Sequence, residues 1–293
     1  MFNVDCMEYL QEVSDNKSVT TILTDPPYKY LENQKLETDF DEKLLFDQFK
    51  RICTDDALVA LFGRGKSFYR WNTMLCDLGF EFKEEIIWDK GLSSSPVNSI
   101  TRMHETISIS GLKKSIIKAE KVPYSYIRGD DQLSLKQCIN DIKRLRPILT
   151  KSKEMKKALD YIEKQIKNYG AKRATNYNAT LQTEAHGDPL VNTLMKFKDG
   201  MRERTIIKEN REHYATIHPT QKPPLLMKRL LNIICSNKEN IKVIDPFGGS
   251  MPVAIACWDM GLDLDIIELD KDYFDAAVKS FEQHIRQLQI DFE

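Results

Sequence analysis

Short apolar runs alternate along this chain with stretches in which apolar residues recur every three or four positions. Val19-Thr20-Thr21-Ile22-Leu23-Thr24 is β-branched and stops at Asp25-Pro26-Pro27, which predicts a buried strand ending at a rigid turn. Leu44 to Ile52 has helical spacing, and Ala57 to Phe62 then runs apolar into Gly63, a second strand. Phe68 to Leu78 reads as a helix stopped at Gly79, a residue suited to a helix end. Glu85 to Trp88 and Glu105 to Ser110 predict two further strands. Past a polar middle, Thr220 to Ser236 predicts a helix opening at Pro223-Pro224, and Ile241 to Ile244 a short strand. Ser250 to Met260 predicts a helix capped by Gly261, Leu264 to Ile267 a strand, and Asp272 to Leu288 a closing helix. Strands that alternate with helices in this way predict an α/β fold, a doubly wound and mostly parallel sheet.

The pattern changes between about 112 and 215. Leu135, Ile139 and Ile142 recur at helical spacing until Pro147, and Met155, Leu159, Ile162 and Ile166 step by 4, 3 and 4. These stripes predict two amphipathic helices whose apolar face forms the core of a hairpin or a homodimer interface. Lys172 to Tyr214 is polar and irregular. The expected organisation is three segments, with an inserted domain at 112–215 between flanks 1–111 and 216–293 that share one sheet.

Charge sharpens that division. Residues 113–215 hold 23 Lys and Arg against 13 Asp and Glu, whereas the rest of the chain holds 20 against 31. A basic middle in an acidic chain is the footprint of a polyanionic partner, because each cation placed on a phosphate releases counterions. Lys143-Arg144, Lys156-Lys157 and Lys172-Arg173 are the clusters expected to make those contacts. Phosphate contacts position a protein on nucleic acid without reading sequence.

Composition excludes several classes. The 293 residues are 41% hydrophobic and 30% charged with 12 Gly and 11 Pro, values of a globular chain and not of a collagen-like or disordered one. No run of about 18 apolar residues predicts a membrane span, and the first residues lack a secretory pattern, so a cytoplasmic location is expected. Cys6, Cys53, Cys76, Cys138, Cys235 and Cys257 stand far apart, with no C-x-x-C pair or nearby histidine at zinc spacing. They are expected to be buried reduced thiols, and no metal site is expected.

The chemistry concentrates at two strand ends, Asp25-Pro26-Pro27-Tyr28 and Asp245-Pro246-Phe247-Gly248-Gly249-Ser250. In open parallel sheets ligands bind beyond the carboxyl ends of strands, so these two ends share one crevice if their strands are neighbours. A strand, a Gly-Gly turn and a helix let backbone approach a nucleoside closely, with Pro252 suited to the first helical turn. Glu268, 20 residues past Gly248, stands where a carboxylate accepts hydrogen bonds from a ribose diol. At the first end, two prolines fix Asp25 and the Pro26 carbonyl as preorganised acceptors beside the aromatic face of Tyr28. Such a pair suits a reaction at an aromatic amine: accepting both N–H hydrogens pulls nitrogen toward tetrahedral geometry and frees its lone pair.

Together these motifs resemble the amino-group DNA methyltransferases in their beta arrangement, where the catalytic motif precedes the recognition region and the cofactor motif comes last. Asp25-Pro26-Pro27-Tyr28 matches the D-P-P-Y motif, His218-Pro219-Thr220-Gln221-Lys222-Pro223 matches H-P-T-Q-K-P, and Asp245 to Ser250 resembles D-P-F-x-G-S. Val4 to Leu10, Ile86 to Lys90 and His104-Glu105 match lesser motifs, and the likeness covers the flanks and not the middle.

The resemblance implies a methyltransferase-type sheet that binds S-adenosylmethionine. Asp5, Cys6, His218, Thr220, Gln221, Lys222, Asp245, Phe247, Gly248, Gly249, Ser250 and Glu268 would hold the cofactor, the 218–223 motif at its methionine end. It implies catalysis by Asp25, Pro26, Pro27 and Tyr28 on a base flipped out of double-stranded DNA, with Tyr28 stacked on it. An acid at 25 is associated with adenine N6 and a serine with cytosine N4, so adenine-specific methylation is expected, in the manner of restriction–modification enzymes. The insertion becomes a largely helical target recognition domain. Cytosine N4, an RNA adenine, or a catalytically inactive nucleic-acid-binding descendant are the alternatives. The last is prompted by Met251-Pro252 standing where the family has Gly-Thr, which places a side chain where it would crowd the cofactor.

Overall fold

The computed structural model describes residues 1–12, 16–28, 39–91, 100–128, 140–141, 143–144, 189–210, 221–235 and 240–290. They fall into two compact units, residues 1–120 with 204–293, and residues 121–203. The first unit carries strands β1 (Val19–Thr24), β2 (Cys53–Gly63), β3 (Glu81–Asp89), β4 (His104–Gly111), β5 (Ile206–Lys208), β6 (Lys242–Asp245) and β7 (Asp263–Ile266). The helices are α1 (Cys6–Glu12), α2 (Glu42–Ile52), α3 (Gly65–Asp77), α4 (Tyr124–Arg128), α5 (Pro189–Asp199), α6 (Pro224–Cys235), α7 (Pro252–Met260) and α8 (Lys271–Ile290). Of these, α4 and α5 belong to the second unit.

The seven strands form one sheet in the order β5-β3-β4-β2-β1-β6-β7. Every neighbouring pair is parallel except the two that β4 makes with β2 and β3. Alternate side chains of each strand serve opposite faces. On one face Ile22, Val59 and Leu61 bury against Leu10 of α1, Phe46 and Phe49 of α2, and Trp71 of α3. On the other, Leu23, Leu58, Ala60 and Phe62 bury with Leu226 and Leu230 of α6 and Ala254 and Cys257 of α7. Both faces are covered, which is why all six residues of β1 are buried and the strand reads as a continuous β-branched run. The fold is the mixed, mostly parallel α/β sheet that the alternating pattern predicts.

Element ends follow local chemistry. The Asp41 carboxylate accepts the Leu44 N–H at 2.9 Å and caps α2. β2 and β3 each begin four residues before the apolar runs that announce them: Thr54–Asp56 follow the Cys53–Val19 pair through a register shift in β2, and Glu81, Phe82 and Glu84 pair with β4 while staying largely unburied.

Three local features depart from the sequence expectation. The helix α1 precedes β1 without a strong apolar stripe. The segment from Lys172 to Tyr214, which reads as irregular, contains α5 and β5. β5 has only three residues, and of these only Ile207 is buried, so alternation has no length in which to show. The cysteine expectation also needs a correction: Cys6, Cys53, Cys235 and Cys257 are buried free thiols, but Cys76 is exposed on the outer side of α3.

In the second unit Tyr124 stacks on Phe197 with ring centres 4.1 Å apart, and its hydroxyl donates to Asp141 Oδ2 at 2.9 Å. Most of the expected helical hairpin lies outside the described residues, and with it the apolar stripe read as its core or as a dimer face. No helix among the described residues is long and apolar enough to cross a membrane.

Candidate active site

β1 and β6 are hydrogen-bonded parallel neighbours, with Thr21 opposite Val243 and Ile22 opposite Ile244. The chain leaves β1 toward β2 on one side and β6 toward β7 on the other, so a topological switch point lies between them, where open sheets bind ligands. Asp25 and Asp245 stand at the two carboxyl ends. A cavity of about 840 Å³ opens there, lined by both motifs together with Asp5, Cys6, Phe40, Glu105, Lys222 and Glu268. That volume suits a nucleoside-sized ligand with room for a second planar group.

One side of the cavity is built by the β6 turn. Asp245 is buried, its Oδ1 accepts the Phe247 N–H at 3.1 Å, and burial pushes its carboxyl up to about 7. Gly248 follows, donating its N–H to Ile267 O at 2.7 Å. A Cβ on Gly248 would stand 2.9 Å from Ile266 Cγ1 and 3.1 Å from Ile267 O, so only glycine lets the turn lie on β7. The Glu268 carboxylate accepts the N–H of Gly249 at 2.7 Å and that of Asp270 at 2.8 Å, which fixes it at the cavity wall. Burial raises its pKa above the ordinary glutamate value. Asp5 Oδ1 accepts the Met7 N–H at 2.6 Å and holds the first turn of α1 at the rim, and burial pushes the Cys6 thiol up to about 12.

Met251 overturns the crowding expected of its side chain. Its backbone is left-handed, with φ 55° and ψ 42°, the conformation that makes glycine suitable at this position. The side chain is fully buried in the core beneath α7, and the described cavity wall runs from Ser250 to Pro252 without it.

The other side presents the acceptors. The Tyr28 hydroxyl donates to Asp25 Oδ1, and the Tyr28 carbonyl accepts from Ser67 Oγ at 2.8 Å. The Tyr28 ring packs on Trp71, and Phe40 lies between Trp71 and Phe247 at ring-centre distances of 6.2 and 5.2 Å. Asp25 Oδ2 pairs with Lys222 Nζ, which also lies 3.3 Å from Glu105 Oε2. Burial favours an uncharged lysine, but the two carboxylates outweigh it and hold Lys222 above the ordinary lysine value. Burial pushes the Asp25 carboxyl upward against the pull of Lys222.

The structure thus brings Asp5, Cys6, Asp25, Pro26, Pro27, Tyr28, Lys222, Asp245, Phe247, Gly248, Gly249, Ser250 and Glu268 to one cavity. Gln221 is described but is not part of the wall, and His218 and Thr220 lie outside the described residues. Lys143 and Arg144 are exposed, Arg144 pairing with Asp141 at 3.0 Å, while Lys156, Lys157, Lys172 and Arg173 lie outside the described residues. Sequence reasoning did not anticipate that Glu105 and Lys222 would meet at Asp25. Lys222 was expected at the cofactor and Glu105 only as part of a lesser motif, and neither motif pointed to Asp25.

A family profile described as DNA methylase, of the N6/N4 class, matches residues 19–279. A 91-residue stretch is 34% identical to the Type II methyltransferase M2.LlaDCHI of Lactococcus lactis subsp. cremoris, covering 29% of this chain and 33% of that protein. A 71-residue stretch is 37% identical to the Type II methyltransferase M2.DpnII of Streptococcus pneumoniae, covering 24% of this chain and 26% of that protein. The matches therefore span a third or less of these relatives' length. Among solved structures, the M1.HpyAVI–SAM complex superposes with a TM-score of 0.55 at 18% identity, over 95% of this chain and 98% of that one.

Proposed function

As the chain belongs to the DNA methylase family, we propose that it transfers a methyl group from S-adenosylmethionine to the N6 amine of an adenine flipped out of double-stranded DNA. S-adenosylmethionine is the cofactor of the family. The observation that carries the reading is the meeting, in one cavity, of Asp25 and Tyr28 with the Gly248 turn and Glu268.

The residues fit that cofactor. The Gly248 turn has no room for a Cβ, Phe247 offers an aromatic edge, and Glu268 is fixed by two backbone N–H donors where a ribose diol would meet it. The cofactor supplies an electrophilic methyl on a sulfonium, so the new C–N bond forms as the C–S bond breaks and a thioether leaves. The chain's own residues prepare the nitrogen. Asp25 and the Pro26 carbonyl accept the two N6 hydrogens, Tyr28 stacks on the base, and the proton shed by the amine leaves along its hydrogen bond to Asp25. The acid at 25, where the resemblance associates serine with cytosine N4, supports adenine as the base.

In this reading residues 1–111 form the catalytic half and 216–293 the cofactor half, with 112–215 as the basic target recognition domain. Lys143, Arg144, Lys156, Lys157, Lys172 and Arg173 contact phosphates there. The Type II names of the two relatives support a place in restriction–modification.

The test is methyl transfer from labelled S-adenosylmethionine to unmethylated duplex DNA, followed by nucleoside mass analysis. N6-methyladenine is expected. N4-methylcytosine overturns the base assignment, and incorporation into RNA but not DNA overturns the substrate.

A further inference from the structure

Four charged side chains stand in an unbroken row, Asp25, Lys222, Glu105 and Lys90, of which the first three line the cavity and Lys90 stands behind them. Lys222 Nζ pairs with Asp25 Oδ2 and lies 3.3 Å from Glu105 Oε2, and Glu105 Oε1 lies 3.3 Å from Lys90 Nζ. They come from four places in the chain. Asp25 follows β1, Lys90 follows β3, Glu105 is the second residue of β4, and Lys222 precedes α6. Because β4 runs against its neighbours, its first residues reach the edge where β1 and β3 end.

The lysine side chains are only 6% and 4% exposed, and the Lys222 ammonium lies 5.3 Å from the ring centre of Phe62. A buried ion costs several kcal/mol unless opposite charge compensates it. Alternating sign is what makes the row tenable, since each inner charge has an opposite charge on both sides.

We propose that Lys222 is a positioning residue for Asp25, fixed in turn by Glu105 and Lys90, and that it keeps the acceptor carboxylate ionised and aimed at the target amine. The inference rests on the methyl-transfer reading above. A protonated Asp25 presents an O–H where an N6 hydrogen must be accepted, so activation of the amine needs the ionised form. The groups facing Asp25 are Lys222, the Tyr28 hydroxyl, Glu105 and Asp245. Burial and the two carboxylates favour its protonation, while Lys222 and the Tyr28 hydroxyl oppose it. When Tyr28 turns to stack on a base it gives up its hydrogen bond, and Lys222 is left to hold the charge. Glu105 has the opposite leverage, because it draws on the same ammonium.

The test compares wild type, Lys222→Met and Glu105→Gln by single-turnover methyl transfer across pH 5.5 to 9, with S-adenosylmethionine binding by calorimetry. In Lys222→Met the acid limb moves up by at least one pH unit, about a tenfold loss on that limb. Activity returns at alkaline pH, and the cofactor Kd stays within about threefold. In Glu105→Gln the limb moves down. A merely structural role would lower both rates without moving the limbs in opposite directions. A cofactor Kd weakened tenfold with an unmoved limb makes Lys222 a cofactor ligand and ends the proposal. Carbon-13 NMR titration of the Asp25 carboxyl, assigned against Asp25→Asn, reads the pair without substrate and must show a higher pKa in Lys222→Met. If wild type methylates nothing, the methyl-transfer reading falls while this titration still decides the pairing. Should Lys222→Met fail to fold, the direction of the Glu105→Gln limb decides.

Discussion

Lys222 and Asp25 are joined by an ion pair across 197 residues of chain. The pair ties the loop before α6 to the carboxyl end of β1. The acceptor carboxylate is therefore not an isolated acid on a turn but the terminal member of a row of alternating charges. Its two oxygens have different neighbours: Oδ2 faces Lys222, and Oδ1 faces the hydroxyl of Tyr28. Only the second partner can leave without stranding a buried charge, so in the methyl-transfer reading Oδ1 is the oxygen that meets the target amine.

Asp25→Ala removes that oxygen and leaves the Gly248 turn and Glu268 untouched. Methyl transfer should fall by roughly 10²–10³-fold or more, the scale of losing one preorganised acceptor. S-adenosylmethionine binding should stay within about threefold by calorimetry. A variant that keeps full activity would remove Asp25 from the mechanism.

Gly248→Ala tests the cofactor side. The added Cβ would meet Ile266 Cγ1 at 2.9 Å and the Ile267 carbonyl at 3.1 Å, and the backbone partner cannot rotate away. Forcing the turn off β7 should cost about 1–3 kcal/mol of stability, as overpacking does. It should also weaken cofactor binding by tenfold or more. Urea unfolding and calorimetry measure the two, and an unchanged cofactor Kd would mean that the turn does not cradle the ligand.

Much of this was legible before the structure, for identifiable reasons. Ile22, Leu23, Val59 and Ala60 belong to strands buried on both faces, and such strands announce themselves as continuous apolar runs. Asp25 and Asp245 were legible because Asp-Pro after a strand is local. What the sequence could not show was adjacency. The pairing of Thr21 with Val243 puts two motifs some 220 residues apart at one crevice, and no periodicity encodes a parallel crossover. Glu105 and Lys222 were visible as motif members, but their meeting at Asp25 depends on the reversed direction of β4. The burial of Met251 was not legible because a sequence shows that a side chain exists, not which way a left-handed backbone points it.

Met251→Gly sets two effects against each other. Glycine relieves a left-handed conformation worth about 1–2 kcal/mol. It also deletes a fully buried side chain, a loss of about 2–5 kcal/mol. The second wins, so urea unfolding should show a net destabilisation on the order of 1–3 kcal/mol. Because the side chain lies in the core and not in the cavity wall, the cofactor Kd should not change. Tighter cofactor binding in the variant would show that Met251 does crowd the ligand.

Asp245 makes stability depend on pH. Its folded value of about 7 stands above the ordinary 3.8, because burial penalises the charged form. Between those values the folded chain holds a proton that the unfolded chain has released. The stability this group contributes is complete below about pH 4 and is lost as pH rises through 7. Asp245→Asn keeps an oxygen for the Phe247 N–H and cannot titrate. The Tm of wild type should therefore fall relative to that of the variant from pH 5 to 7.5. Parallel curves would mean that Asp245 is ionised throughout.

Tyr28 separates stacking from hydrogen bonding. The hydroxyl donates to Asp25 Oδ1, the oxygen that the methyl-transfer reading assigns to the amine, so in that reading it withdraws before the base is activated. Tyr28→Phe removes the competitor and keeps the ring beside Trp71, at the cost of one stabilising donor to Asp25. These opposing effects should leave single-turnover methyl transfer within about threefold of wild type on the alkaline plateau of its pH profile. Tyr28→Ala deletes the ring itself, and base–aromatic stacking of about 1–3 kcal/mol corresponds to a loss of roughly 5–150-fold in productive base binding. The two variants should therefore diverge by an order of magnitude. Equal losses would assign the work of Tyr28 to its hydroxyl and remove stacking from the mechanism.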